Sequence, residues 1–130
     1  MSGKLTKKHD LLVEYVARHL KQRFYDDVRA RAEGFRPPAR VEHGLEAPPV
    51  VPDVTMVARG AKLNVLEVET PETLRRAETA RKWAALAHHA EQRGGRFWVV
   101  VPRGTSESAR KKLHSAAVNA QLWEVAAEAR

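Results

Sequence analysis

The chain contains no cysteine and no continuous apolar run long enough to cross a membrane. The first absence excludes a disulfide framework and a thiolate zinc site, and the second predicts no transmembrane helix, which needs about 20 apolar residues. The basic N-terminus also lacks the apolar stretch of a signal peptide. We therefore expect a cytoplasmic protein. Its 130 residues suit a single domain over residues 1–130 with a modest core.

Acidic residues are scarce relative to basic ones. The chain has 23 Lys and Arg residues against 16 Asp and Glu residues, which gives a net charge of +7 and a pI of about 10.1. Such an excess suits a polyanionic partner, nucleic acid above all. A solvated surface rich in Lys and Arg is the plain alternative.

Helical periodicity predicts a first helix over residues 6 to about 30, with Thr6 as its N-cap. Its apolar stripe is Val13, Val16, Ala17, Leu20, Phe24 and Val28. A second helix is expected from Pro71 to about Arg93, because Thr70 is a good N-cap and Pro71 suits the first position. Its predicted core face is Leu74, Ala77, Ala80, Ala84 and Ala87, with Trp83 beside it. A third helix is expected from residue 106 to about 120.

Strands are predicted between these helices. Residues 40–46 form a weak candidate, and residues 53–58 and 62–69 are stronger ones, joined by a tight turn at Arg59-Gly60-Ala61. The apolar run 97–101 reads as a strand covered on both faces, and 121–125 as a last strand. The predicted order is α-β-β-β-α-β-α-β, an α/β fold with a mixed central sheet flanked by helices.

Three acids lie on the two central strands. Asp53 opens the first, and Glu67 and Glu69 end the second, where alternate residues point to the same face. If these strands are neighbours in a hairpin, the three carboxylates meet, and their repulsion is relieved by a hard cation such as Mg²⁺ or Mn²⁺. The alternatives are a turn-capping role for Asp53 and a solvent-facing stripe for the two glutamates.

The Pro52-Asp53 pair and the Glu67-Val68-Glu69 pattern, on successive strands after an opening helix that bears an acid, resemble the PD-(D/E)XK nuclease superfamily. The resemblance covers most of the chain and implies a restriction-endonuclease-like fold. It implies that Asp53 and Glu67 bind the metal, and that Glu14 on the first helix supplements them. Glu14 is also placed to form an i,i+4 ion pair with Arg18.

Glu69 departs from the family pattern, because a lysine usually stands at its position and is thought to activate the attacking water. Some members carry glutamate there, and others move the lysine to the neighbouring helix. The candidates for that role on the neighbouring helix are Arg76, Arg81 and Lys82. Arginine is a poor base because it hardly deprotonates.

The expected function is Mg²⁺- or Mn²⁺-dependent hydrolysis of phosphodiester bonds by an endonuclease, with Asp53, Glu67 and Glu69 as catalytic residues and DNA favoured over RNA. Phosphate contacts are expected from Arg59, Lys62, Arg75, Arg76, Arg81 and Lys82. A domain this small favours a homodimer or a subunit of a larger complex. The alternatives are a catalytically inactive nucleic-acid-binding or scaffold module with the same fold, and a basic α/β domain with a protein partner.

Overall fold

A computed structural model describes residues 3–23, 25–42 and 48–126 of the chain, with side chains from residue 7 onward. The elements, in chain order, are α1 (Gly3–Gln22), β1 (Asp26–Ala30), β2 (Val54–Ala58), β3 (Lys62–Val68), α2 (Pro71–Leu74), α3 (Glu78–Gln92), β4 (Phe97–Val101), α4 (Ser106–Ala116) and β5 (Gln121–Glu124). The α/β class is confirmed. Of the described helices, none combines the length and the apolar character needed to span a membrane.

The five strands form one mixed sheet in the order β1-β2-β3-β4-β5. The pairs β1–β2 and β2–β3 are antiparallel, whereas β3–β4 and β4–β5 are parallel. The predicted hairpin turn is confirmed, since Ala58 pairs with Lys62 across it. The return into β4 depends on Gly95, where a Cβ atom would lie 1.7 Å from the carbonyl oxygen of Leu63.

Helices cover both faces of the sheet. One face packs against α1 through a buried stripe that includes Leu12, Val13, Val16 and Leu20. The other packs against α3 and α4, where Trp83 and Leu86 are fully buried. β4 lies between these layers, and its three valines, 99–101, have no solvent exposure. The prediction of a strand covered on both faces is confirmed.

The first helix is shorter than predicted. It ends at Gln22, Thr6 lies inside it rather than capping it, and the first strand of the described chain is residues 26–30. Aspartate disfavours a helix interior, and Asp27 adopts a left-handed backbone with φ 46°. In the predicted strand, Val41 makes only an isolated bridge to Val50, and residues 43–46 lie outside the described ranges, as does Phe24.

The second predicted helix is two helices, α2 and α3, so the observed order is α-β-β-β-α-α-β-α-β. The capping box of Thr70 with Thr73 and the proline at the first turn confirm the predicted start. The break follows because the Thr73 carbonyl accepts from the Arg76 N–H and from the Thr79 hydroxyl. Because of the break, the residues of α3 no longer share a face with those of α2 at helical spacing. Ala77 and Ala84, predicted to face the core, are therefore exposed. The buried residues of α3 are Thr79, Trp83, Ala85, Leu86 and Ala90.

The last helix, α4, ends at Ala116 rather than near residue 120. Ala117 follows it in a left-handed conformation with φ 55°, and its N–H donates to the carbonyls of the final turn. A left-handed residue after the last turn is a common way for a helix to end, although glycine is the usual occupant. The sequence therefore lacked the residue that normally marks this boundary.

Candidate active site

Asp53 and Glu67 meet where the β2–β3 ladder ends. The last pair of the ladder is Val54 with Leu66. One step beyond it, the Asp53 backbone N–H donates to Oε1 of Glu67 at 3.0 Å, and the Val68 N–H donates to Oδ2 of Asp53 at 2.9 Å. The two carboxylates thus continue the hydrogen bonding that the backbones no longer provide, which fixes both side chains.

Glu69 lies just past the end of β3 and is held by the helix above it. The indole Nε1–H of Trp83 donates to Oε2 of Glu69 at 2.8 Å, and the Glu69 N–H donates to the carbonyl of Val100. Asp53, Glu67 and Glu69 are only 3%, 7% and 5% exposed. The two glutamates therefore do not form a solvent-facing stripe.

The three acids line a cleft of about 530 Å³. One wall comes from His9 and Asp10 of α1, and another from the α2–α3 region. The remaining lining residues are Arg31, Val68, Thr73, Arg76, Thr79 and Lys82. Cations thus surround the buried acids, so that a negatively charged ligand can approach them.

Burial is the main cause of a raised pKa at two of these acids. Burial and the negative charges of Asp53 and Glu69 raise the pKa of Glu67 well above its usual range. Lys82 acts in the opposite direction through its positive charge. Burial also raises the pKa of Glu69, and the side chains of Thr73 and Trp83 offset part of that effect. Both glutamates are therefore held in surroundings that oppose their ionisation.

His9 is a site residue that the sequence reasoning did not identify. Its Nε2 lies 3.1 Å from Oδ2 of Asp53, and its Nδ1 lies 3.5 Å from Oδ1 of Asp10. Burial alone would lower the pKa of His9, but the hydrogen bond and charge of Asp53 outweigh burial and raise it to about 9. The signal was present, because His9 precedes Val13 and Val16 at helical spacing, which places a histidine on the core-facing stripe.

The basic residues proposed from the sequence separate into three pairs. Arg76 and Lys82 line the cleft. Arg75 and Arg81 are exposed and are not among its lining residues. Arg59 and Lys62 lie at the turn end of the hairpin, and because β2 is five residues long, that end is roughly 15 Å from Asp53.

Glu14 does not join the acids of the cleft. Its carboxylate accepts from Arg18, with 2.8 Å between Nη2 and Oε2, and its side chain is 39% exposed. This is the i,i+4 ion pair that the sequence offered as the alternative. On the same helix, His9 and Asp10 are the residues that reach the cleft.

The donor atoms define what kind of metal ion the cleft suits. Within the described ranges, no group of three or more acidic, histidine or cysteine side chains is placed to hold an ion. Asp53 and Glu67 are the adjacent carboxylates, and Oδ1 of Asp53 lies 3.9 Å from Nη1 of Arg31. Mg²⁺ commonly binds one or two carboxylates and completes its shell with water and phosphate oxygens. Asp53 and Glu67 supply the number of carboxylates that this mode uses, and the described residues do not form an all-protein cage.

Comparison with known proteins gave no match, whether to a family model, to a curated protein or to a solved structure.

Proposed function

We propose that the chain is a metal-dependent endonuclease of the PD-(D/E)XK type that hydrolyses phosphodiester bonds in nucleic acid, DNA above RNA. The observation that carries this proposal is the buried pair Asp53 and Glu67, joined at the ends of two adjacent strands inside a cleft lined by cations. Burying acids side by side is unfavourable for folding, and proteins retain such arrangements chiefly at functional sites. A net positive surface supports a polyanionic substrate.

Asp53 and Glu67 would hold the metal. When bound, Mg²⁺ or Mn²⁺ would make a coordinated water more acidic and offset negative charge on the phosphate. The chain's own contribution is to fix the two carboxylates, through the Val68 N–H on Asp53 and the Asp53 N–H on Glu67. Fixed ligands reduce the reorganisation needed during the reaction.

Lys82 supplies the cation that Glu69 cannot supply. It projects from α3 into the same cleft, is half-buried, and lies close enough to Glu67 to favour its ionised form. This position agrees with family members in which the lysine comes from the helix that follows the acidic strand. Arg31 and Arg76 then contact phosphate oxygens at the mouth of the cleft.

Glu69 takes a positioning role in this proposal. Trp83 engages Oε2, and the residue still lines the cleft. A carboxyl group there can accept a hydrogen bond from a water molecule next to the metal-binding pair. It cannot neutralise the phosphate, so the proposal assigns that task to Lys82 and the two arginines.

A non-catalytic nucleic-acid-binding module is the second candidate. His9 favours it, because the imidazole already occupies Oδ2 of Asp53 and places a positive charge where a metal ion would compete. In this case the same cleft would bind a phosphate without cleaving the chain. Both candidates require salt-dependent binding of nucleic acid.

Nicking of supercoiled plasmid, together with cleavage of end-labelled oligonucleotides, tests the proposal. Reactions with Mg²⁺, Mn²⁺ or EDTA compare the wild type with Asp53→Asn and Glu67→Gln, and the exposed Glu91→Gln serves as the matched control. We expect metal-dependent cleavage that both cleft variants lose and the control retains. Cleavage that survives both cleft substitutions would refute the site. Salt-dependent binding with no cleavage in any metal would favour the non-catalytic module.

A further inference from the structure

We infer that the cleft takes single-stranded nucleic acid, or a splayed end of a duplex, rather than an intact double helix. The inference rests on the proposed function and concerns which polymer enters the site. It is drawn from the depth of the cleft, the position of its cations and the residue types of its walls.

The reactive groups are buried at the floor of the cleft. Asp53 and Glu67 are 3% and 7% exposed, and helices α1 and α3 contribute residues to the walls above them. A volume of about 530 Å³ lies within the range typical of small-molecule sites, about 300–1,000 Å³. A duplex is stiff, with a persistence length of about 150 base pairs, and must be deformed to bring a phosphate down to that floor. A single strand bends freely and can insert one phosphate between the walls.

Cations from separate parts of the chain border the cleft. Arg31 follows β1 and is 57% exposed, whereas Arg76 and Lys82 belong to the α2–α3 region. Lys112 of α4 lies beside that region, since its Nζ lies 3.4 Å from the Arg76 carbonyl. A strand in the cleft would meet cations from the segment after β1, from the α2–α3 region and from α4. Sites that bind single strands without sequence preference combine a positive groove along the backbone with stacking surfaces, and this cleft supplies chiefly the first part.

Among the described lining residues, the imidazole of His9 and the guanidinium groups of Arg31 and Arg76 are the flat side chains on which a base can stack. None of the described residues that line the cleft is Phe, Tyr or Trp. Recognition then depends chiefly on phosphates, so binding should be insensitive to sequence and steeply dependent on salt. For single strands, log K falls with log[salt] by about 0.7 per phosphate neutralised. Four contacts, from Arg31, Arg76, Lys82 and Lys112, give an expected slope of about −3.

Fluorescence anisotropy in EDTA tests the inference with labelled 20-mers of one sequence: single-stranded DNA, single-stranded RNA, blunt duplex DNA and a forked duplex. We expect either single strand, and the fork, to bind at least about tenfold more tightly than the blunt duplex, which corresponds to about 1.4 kcal/mol. Blunt duplex binding as tightly as the single strands would overturn the inference.

Paired charge removal locates the binding surface. Arg76→Gln with Lys112→Gln removes two charges at the cleft, and Arg93→Gln with Arg96→Gln removes two at the other end of α3 and β4. The first pair should reduce the salt slope by about 1.4, and the control pair should leave single-strand affinity within about twofold. An equal loss from both pairs would indicate a diffuse basic surface and overturn the inference.

The two proposals fail separately. If blunt duplex is both the preferred ligand and the preferred substrate, and Asp53→Asn abolishes its cleavage, the nuclease proposal stands and the single-strand inference is wrong. If single strands bind at the cleft but are never cleaved, the inference stands and the nuclease proposal is wrong.

Discussion

Replacing Glu67 with glutamine is expected to stabilise the fold while abolishing the proposed activity. Glutamine has nearly the same volume, so the substitution leaves no cavity. Its carbonyl oxygen can still accept the Asp53 N–H that Oε1 accepts at 3.0 Å. The substitution does remove an ionisable group. That group is 7% exposed and lies beside Asp53 and Glu69.

The sign of the effect follows from the raised pKa of Glu67. The unfolded chain ionises this carboxyl near its ordinary pKa of 4.5, whereas burial and the neighbouring acids raise the pKa in the folded state. The folded protein therefore holds a proton that the unfolded chain has released. Stability is fully present below pH 4.5 and is lost as the pH rises through the folded-state pKa, by at most about 1.4 kcal/mol per pH unit.

Glu67→Gln removes that loss. Because the hydrogen bond and the packing are retained, the gain in the free energy of unfolding at pH 8 reflects only the charge. We expect a gain of about 0.5–2 kcal/mol, the usual size for a single stabilising substitution. The gain should be smallest at pH 4.5, where folded Glu67 is neutral like glutamine and only about half of the unfolded chains have ionised it.

Urea unfolding followed by circular dichroism at pH 4.5, 6 and 8 measures this difference. Glu91→Gln is the control, because Glu91 is exposed and its substitution should change stability by less than about 0.5 kcal/mol at every pH. A Glu67→Gln variant that is less stable than the wild type at pH 8, or whose difference does not vary with pH, would refute the reasoning.

Three further outcomes are expected. Trp83→Phe leaves the buried Glu69 carboxylate without its 2.8 Å donor and should lower the free energy of unfolding by about 2–4 kcal/mol, and adding Glu69→Leu should recover part of that loss. His9→Gln should be most destabilising near pH 6, and the difference from wild type should diminish as the pH rises through about 9 in urea titrations. Gly95→Ala should cost more than about 3 kcal/mol or prevent folding, measured by thermal melting, because its Cβ atom would collide with the Leu63 carbonyl.

Short-range signals accounted for much of the fold. The hairpin turn at residues 59–61, the capping box at Thr70 and the fully apolar strand at 97–101 each carry a local physical cause, and each appears in the structure. The α/β class followed from their order along the chain.

The errors arose where tertiary contacts override local preference. Periodicity continues through residues 22–30, but β2 offers a partner there, and Arg29 pairs with Thr55 in the sheet. The helix after Thr70 likewise looked continuous, since nothing in the sequence reveals that the Thr73 carbonyl accepts the hydroxyl of Thr79. That bond marks the break that shifts the buried face of α3 to Trp83.

In the candidate site too, local signals predicted some residues, and tertiary packing determines the others. Asp53, Glu67 and Glu69 could be grouped because strand alternation and a short hairpin determine their positions. The contributions of α1 and α3 depend on how each helix is placed over the sheet. That placement brings His9, rather than Glu14, to Asp53, and it brings Lys82 into the cleft.

Crystals soaked in Mn²⁺ and measured at the manganese absorption edge test the central claim most directly. The proposed function predicts an anomalous peak between the carboxylates of Asp53 and Glu67, with the remaining ligands supplied by water, and its loss in Asp53→Asn crystals. The contrary result is the absence of an anomalous peak between Asp53 and Glu67 at high Mn²⁺ concentration, with the contact of His9 to Asp53 unchanged. That result would contradict the claim that this cleft is a metal-dependent active site.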